Sequence, residues 1–190
     1  MTERVDAVVI GASAGAVQGL LSILPSLPAD YPVPVIVVVH VPAGPENALA
    51  ALLRDRCRMS VKEAEDKEPV APGVVYLAPS DYHLLVETEG AFSLSSDEPV
   101  HYARPSIDVL FESAADAWSE GLVGVILSGA NEDGAAGLAR ILAQGGVGLV
   151  EEPDDAYASA MPLAALAAAP SARRMTLAEI RDCLQEIGRI

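Results

Sequence analysis

Along most of the chain, short runs of apolar, often β-branched residues alternate with segments whose apolar positions recur at helical spacing. Residues 5–10 form the first run and end at Gly11, which predicts a strand buried on both faces. In 14–24, Val17, Leu20, Leu21 and Leu24 follow a helical spacing, and Pro25 and Pro28 stop the helix. Residues 33–39 read as a stronger buried strand, and 46–56 as a helix with Leu49, Leu52 and Leu53 on one side. Residues 59–100 change character. Runs at 74–77, 83–87 and 91–95 are punctuated by Pro-Gly and Glu-Gly, the pattern of a small antiparallel excursion.

Regular alternation resumes with a helix over 107–118, a buried strand over 122–127, a helix over 134–144 and a strand over 147–150. Thr176 and Glu179 form a T-x-x-E capping box that starts a last helix carrying Ile180, Leu184 and Ile187. The pattern predicts one α/β domain over residues 1–190, with a mostly parallel sheet.

Composition narrows the options. Of 190 residues, 51% are hydrophobic and only 4% aromatic, so a core of Ala, Val, Leu and Ile is expected and disorder is excluded. Acidic residues outnumber basic ones 27 to 12, a formal charge of −15, and Lys62 and Lys67 are the only lysines. Phosphate backbones and anionic headgroups demand clustered Lys and Arg, so nucleic acid and membrane surfaces are poor partners. The longest apolar stretches, 33–41 and 158–172, fall short of a membrane span, and membrane insertion is not expected. Cys57 and Cys183 match no metal or redox spacing, and no secretory signal opens the chain. These features predict reduced thiols and a cytoplasmic location.

In a parallel sheet, ligands bind beyond the carboxyl ends of the strands. The first strand is followed by Gly11-Ala12-Ser13-Ala14-Gly15-Ala16, the second by His40, and the strand at 122–127 by Ser128-Gly129-Ala130-Asn131-Glu132-Asp133-Gly134. Ser13, His40 and Asp133 thus emerge at one sheet edge, and they converge if the second strand and the 122–127 strand flank the first. Singly, each has a structural reading: Ser13 and Asp133 as helix N-caps, His40 as a hydrogen-bonded strand-end residue. Together they suggest a serine nucleophile, a general base and an orienting carboxylate. Backbone N–H groups of Ala14 and Ala130 are candidate oxyanion donors. A competing reading makes 11–16 a dinucleotide-binding turn. His40 stands where that motif wants an acidic residue, and no Tyr precedes a Lys by four, so this reading is disfavoured.

The segments Ile10-Gly-Ala-Ser-Ala-Gly15, Val39-His-Val-Pro-Ala43, Ala71-Pro-Gly-Val-Val-Tyr-Leu-Ala-Pro79, Arg104-Pro-Ser-Ile-Asp-Val-Leu-Phe111, Leu127-Ser-Gly-Ala-Asn-Glu-Asp-Gly-Ala-Ala-Gly137 and Ala160-Met-Pro162 resemble, in order, the catalytic domain of the chemotaxis protein-glutamate methylesterases (CheB). The resemblance implies a doubly wound α/β fold with helices on both faces and a small hairpin. It implies hydrolysis of glutamate γ-methyl esters on chemoreceptor cytoplasmic helices with release of methanol, and in some members glutamine deamidation. The triad maps onto Ser13, His40 and Asp133, and neither a metal nor an organic cofactor is implied.

Departures qualify the match. Ser13-Ala14-Gly15-Ala16 stands where the family reads Ser-Thr-Gly-Gly, and Ala130-Asn131 where it has Met-Gly, so a Thr hydroxyl and a Met side chain are missing from the expected site lining. Met161, in Met161-Pro162, is expected to close a loop and pack near the site. The first strand begins near residue 5, so a stand-alone catalytic domain is expected. It would lack the family's N-terminal receiver, with regulation by expression or a separate protein. Arg104 is the candidate cation for substrate contact, Arg54 and Arg58 share a face if their helix runs that far, and His83 and His101 read as surface or hairpin residues. Two alternatives stay open: a small-molecule carboxylesterase of the same fold, and a weakly active receptor-docking module.

Overall fold

A computed structural model of the chain describes residues 4–40 and 48–188. Strand β1 (Ala7–Ala12) is buried along its whole length and leads into helix α1 (Ala16–Ile23). Strand β2 (Val35–Val39), helix α2 (Ala48–Arg56) and strands β3 (Ser60–Glu63) and β4 (Val74–Leu77) follow. A hairpin of β5 (His83–Val86) and β6 (Phe92–Ser95) precedes helix α3 (Ile107–Trp118) and strand β7 (Leu122–Ile126). Helix α4 (Ala135–Ala143), strand β8 (Val147–Glu151), helix α5 (Ala160–Ala168), strand β9 (Arg173–Met175) and helix α6 (Leu177–Ile187) complete it.

Among the described residues, the main sheet has seven strands in the order β3-β4-β2-β1-β7-β8-β9, and every pairing in it is parallel. Alternate side chains of β1 feed two cores. Val8 and Ile10 pack with Leu20, Leu53 and Ile180 from α1, α2 and α6, while Ala7 and Val9 pack with Phe111, Ile141 and Ala165 from α3, α4 and α5. Fully buried β-branched strands are what a sheet covered on both faces requires. The doubly wound expectation therefore holds, with the β5-β6 hairpin as the separate antiparallel piece.

Several local expectations need correction. Residues 74–77 do not belong to the antiparallel excursion: β4 pairs in parallel with β2 and β3 inside the main sheet. The two outermost strands escaped detection because their sequences, SVKE and RRM, are largely polar or charged. Charge on an edge strand blocks further pairing and erases the apolar signal of a strand. Helix α2 ends at Arg56, so Arg58 is not on it; the Arg54 guanidinium instead donates to the Val61 carbonyl at 3.0 Å. The expected start of α2 at Glu46, and residues 41–43 of the His40 motif, lie outside the described residues. The Thr176–Glu179 capping box forms as expected. Among the described residues, no helix is long and apolar enough to cross a membrane.

Candidate active site

The strand order puts β2 and β7 on either side of β1, so the residues that follow these three strands share one edge. That edge is also where chain connections diverge to opposite sides of the sheet, the usual ligand position in such folds. The Ser13 turn is held from below. The Ser13 amide donates to the Ser128 carbonyl at 2.9 Å, and the Ser128 hydroxyl donates to the Ala14 carbonyl at 2.6 Å. Gly15 then takes φ +86°, and a side chain there would collide with Tyr157 and the Ser128 hydroxyl. Only glycine fits that corner.

His40 follows β2, with its amide donating to the Ala12 carbonyl at 3.1 Å. Its Nε2 lies 2.7 Å from Asp133 Oδ2. Asp133 is fully buried, yet its carboxylate is unusually well supplied with donors. Oδ2 also accepts the Ile107 amide at 2.7 Å, and Oδ1 accepts the Ser106 hydroxyl at 2.8 Å and the Asp108 amide at 3.0 Å. Burial by itself would push this carboxyl up. The His40 ring, the Asp108 and Ile107 amides and the Ser106 hydroxyl outweigh it and hold the pKa below the usual carboxylate value. The two amides belong to the first turn of α3, so the charge also sits at the positive end of a helix dipole.

Ser106 begins α3 but its hydroxyl does not cap the helix. Asp133 caps it from a loop more than twenty residues away, freeing the Ser106 hydroxyl to bind the same carboxylate. The approach of α3 needs Gly11 in β1, where a Cβ would lie 2.4 Å from Ile107 Cγ2. Ser106 is held in turn by His83. The Ser106 amide donates to Nδ1 at 3.1 Å, which leaves Nε2–H to donate to the Glu98 carbonyl at 3.0 Å. His83 lies in the hairpin, as one reading had it, but it is buried and no surface residue.

Ser13, His40, His101, Tyr102, Arg104 and Asn131 line one cavity of about 480 Å³. With Nε2 committed to Asp133, Nδ1 is the His40 nitrogen on offer to a nucleophile. The other expected site residues divide. Asn131 lines the cavity, and its side chain accepts the Asp133 amide at 3.1 Å. Ala14 is half-buried in the Ser13 turn, and Ala130 is exposed on the loop before Asp133. Met161 opens helix α5 rather than closing a loop; it is buried beneath Gly129, with its amide on the Gly129 carbonyl at 3.0 Å. Arg104 borders the cavity, but its guanidinium is occupied by Asp81 at 2.7 Å and by the carbonyls of Ser96 and Asp97.

Ser106 and Ser128 were missed in the sequence. Both lie inside segments that carry the family resemblance, 104–111 and 127–137, yet their partners are distant in the chain. Among the described residues, His101, Asp108 and Asp133 bring possible metal-ligand atoms within 4.8 Å of one another. The Asp133 oxygens already accept from His40, Ile107, Ser106 and Asp108, which fills the acceptor sites of a carboxylate and leaves none for an ion.

Fold and site therefore define a three-layer α/β protein with a hydroxyl, an imidazole and an ionised buried carboxylate gathered at the switch point of its sheet. The CheB methylesterase profile matches residues 8–184, and the chain belongs to that family. It is 44% identical over 163 residues to a putative protein-glutamate methylesterase/protein-glutamine glutaminase of Leptospira interrogans, covering 86% of this chain and 84% of that protein. It is also 44% identical over 155 residues to the protein-glutamate methylesterase/protein-glutamine glutaminase of Symbiobacterium thermophilum, where it spans 82% of this chain but only 43% of the relative. The crystal structure of the Thermotoga maritima CheB methylesterase catalytic domain superimposes with a TM-score of 0.90 at 33% identity, covering 96% of this chain and 98% of that one.

Proposed function

We propose that this protein is a cytoplasmic serine esterase that removes methyl groups from glutamate γ-methyl esters on chemoreceptor helices. The observation that carries the reading is the His40–Asp133 pair, 2.7 Å apart, whose carboxylate is kept ionised by donors from the first turn of α3 and which shares a cavity with Ser13.

In this reading Ser13 Oγ attacks the ester carbonyl while His40 Nδ1 takes its proton. Asp133 fixes the tautomer that carries hydrogen on Nε2 and stabilises the imidazolium that forms. The developing oxyanion is received by backbone N–H groups at the Ser13 turn and the 128–134 loop, with Ala14 and Ala130 the assigned donors. Collapse returns the proton to the methoxy group and methanol leaves. Water, deprotonated by His40, then cleaves the acyl-enzyme to give glutamate and free Ser13. An amide takes the same route with ammonia as leaving group, in line with the glutaminase half of the relatives' names. No step calls for a metal or an organic cofactor.

Methanol release from methylated receptor is expected from the natural chain and not from Ser13→Ala. Equal release from both sinks the esterase reading. Turnover of small aryl esters without turnover of receptor moves the same chemistry to a small-molecule substrate.

A further inference from the structure

Ser13 borders two cavities of opposite character, and the proposed chemistry uses only the polar one. The second, of about 760 Å³, lies along α1 and is lined mainly by Ala16, Val17, Leu21, Val39 and Tyr157, with Ser13, Gln18 and Ser22 as its polar members. Among the described residues lining it, none is charged, in a chain of formal charge −15. Val17 is 46% and Tyr157 78% exposed, two of the few large apolar side chains left at the surface.

The spacing is as informative as the polarity. Val17 and Leu21 stand four residues apart on α1 and form one ridge of the helix, and Ser13, in the turn before it, lines the same groove. A second helix packs against such a ridge by offering side chains with the same three- or four-residue recurrence. An acidic helix would be repelled by most of this protein's surface, and the uncharged groove is a strip beside Ser13 that adds no charge of its own to that repulsion.

We propose that this groove seats the apolar flank of an amphipathic substrate helix. The glutamyl ester lies over Ser13, and apolar side chains one and two turns away rest on Val17, Leu21 and the Tyr157 ring. The position of the ester rests on the esterase reading above; the helix in the groove does not. Selectivity then comes from the residues flanking the ester, and the polar cavity serves the reaction itself.

Two synthetic helical peptides test this, each carrying one glutamate γ-methyl ester. One has leucine at the flanking positions three, four and seven residues away, and the other has glutamine there. Binding is read by fluorescence anisotropy on Ser13→Ala, alone and combined with Val17→Ser or Tyr157→Ser. Turnover of N-acetylglutamate γ-methyl ester is read separately on proteins that keep Ser13. The leucine peptide is expected to bind about tenfold more tightly, the gain from burying one or two apolar side chains. That preference disappears with Val17→Ser or Tyr157→Ser, while small-ester turnover is unchanged in Val17→Ser, whose side chain is exposed and lies outside the reaction.

Equal affinity for both peptides, or a preference that survives both substitutions, overturns the groove. So does concentration-dependent self-association abolished by Val17→Ser without peptide preference, which assigns the face to a second copy. Peptide preference without any ester turnover strikes down the esterase reading and leaves the groove standing.

Discussion

Two buried carboxylates flank the Ser13 turn at the carboxyl edge of the sheet, and they are treated in opposite ways. Asp133, beyond β7, receives two amides, a hydroxyl and an imidazole and is held below the ordinary carboxylate value. Glu151, the last residue of β8, accepts the Ser128 amide at 2.7 Å. For Glu151, burial is the largest influence and pushes its carboxyl up, and the Ser128 amide only partly offsets it. Burial alone does not decide the charge of an acid. The number of donors aimed at it does. Asp133 is built to stay negative beside an imidazole, whereas Glu151 anchors the Ser128 staple under the Ser13 turn.

The difference is most sharply broken at Asp133. Asp133→Asn keeps the shape but removes the charge and permits the wrong His40 tautomer, so kcat is expected to fall by about 10³–10⁴. Steady-state methanol release measures it; a loss of less than tenfold would deny Asp133 its role. Thinning the donor set is next in size. Ser106→Ala deletes one hydrogen bond to a charged acceptor, and a kcat loss of roughly tenfold is expected. Its pH signature has a definite sign. The depressed native pKa of Asp133 contributes stability above the ordinary carboxylate value of about 4, and that stability is lost as pH falls through the native value. Without the Ser106 hydroxyl the depression is smaller, so the acid-unfolding midpoint, followed by circular dichroism, moves to higher pH.

Glu151→Gln is the mildest change. The side-chain carbonyl still accepts the Ser128 amide, and a charge that burial disfavours is gone. For a carboxyl raised in the folded state, stability declines as pH rises through the unfolded and then the native value. Glu151→Gln should therefore flatten that decline and leave stability at pH 7 within about 1 kcal/mol of the parent or slightly above it. Thermal denaturation between pH 4 and 7 checks this. A large loss at neutral pH would mean that Glu151 is needed as an anion.

These two acids also mark how far the sequence could be read. The central strands β1, β2 and β7 were legible because each is an uninterrupted apolar run, and reactive residues at their ends follow from the topology. That reasoning places Ser13, His40 and Asp133 at one sheet edge. The donors around Asp133 were not, since Ser106 ahead of a helix reads locally as its cap. Its hydroxyl turns elsewhere only because a residue from another loop has taken the helix end. His83 was illegible for the same reason: its burial and both ring contacts depend on how the hairpin meets α3. Edge strands β3 and β9 were hidden by the charges that protect them.

The central claim is that Ser13 is the nucleophile and that His40 with Asp133 activates it. Labelling with a fluorophosphonate, followed by intact-mass and peptide mapping, tests it most directly. The account predicts a single phosphonyl adduct on Ser13 in the natural chain, no adduct in Ser13→Ala, and labelling slowed by about 10³ or more in Asp133→Asn. An adduct on another serine, or equal labelling of Ser13→Ala, would contradict it.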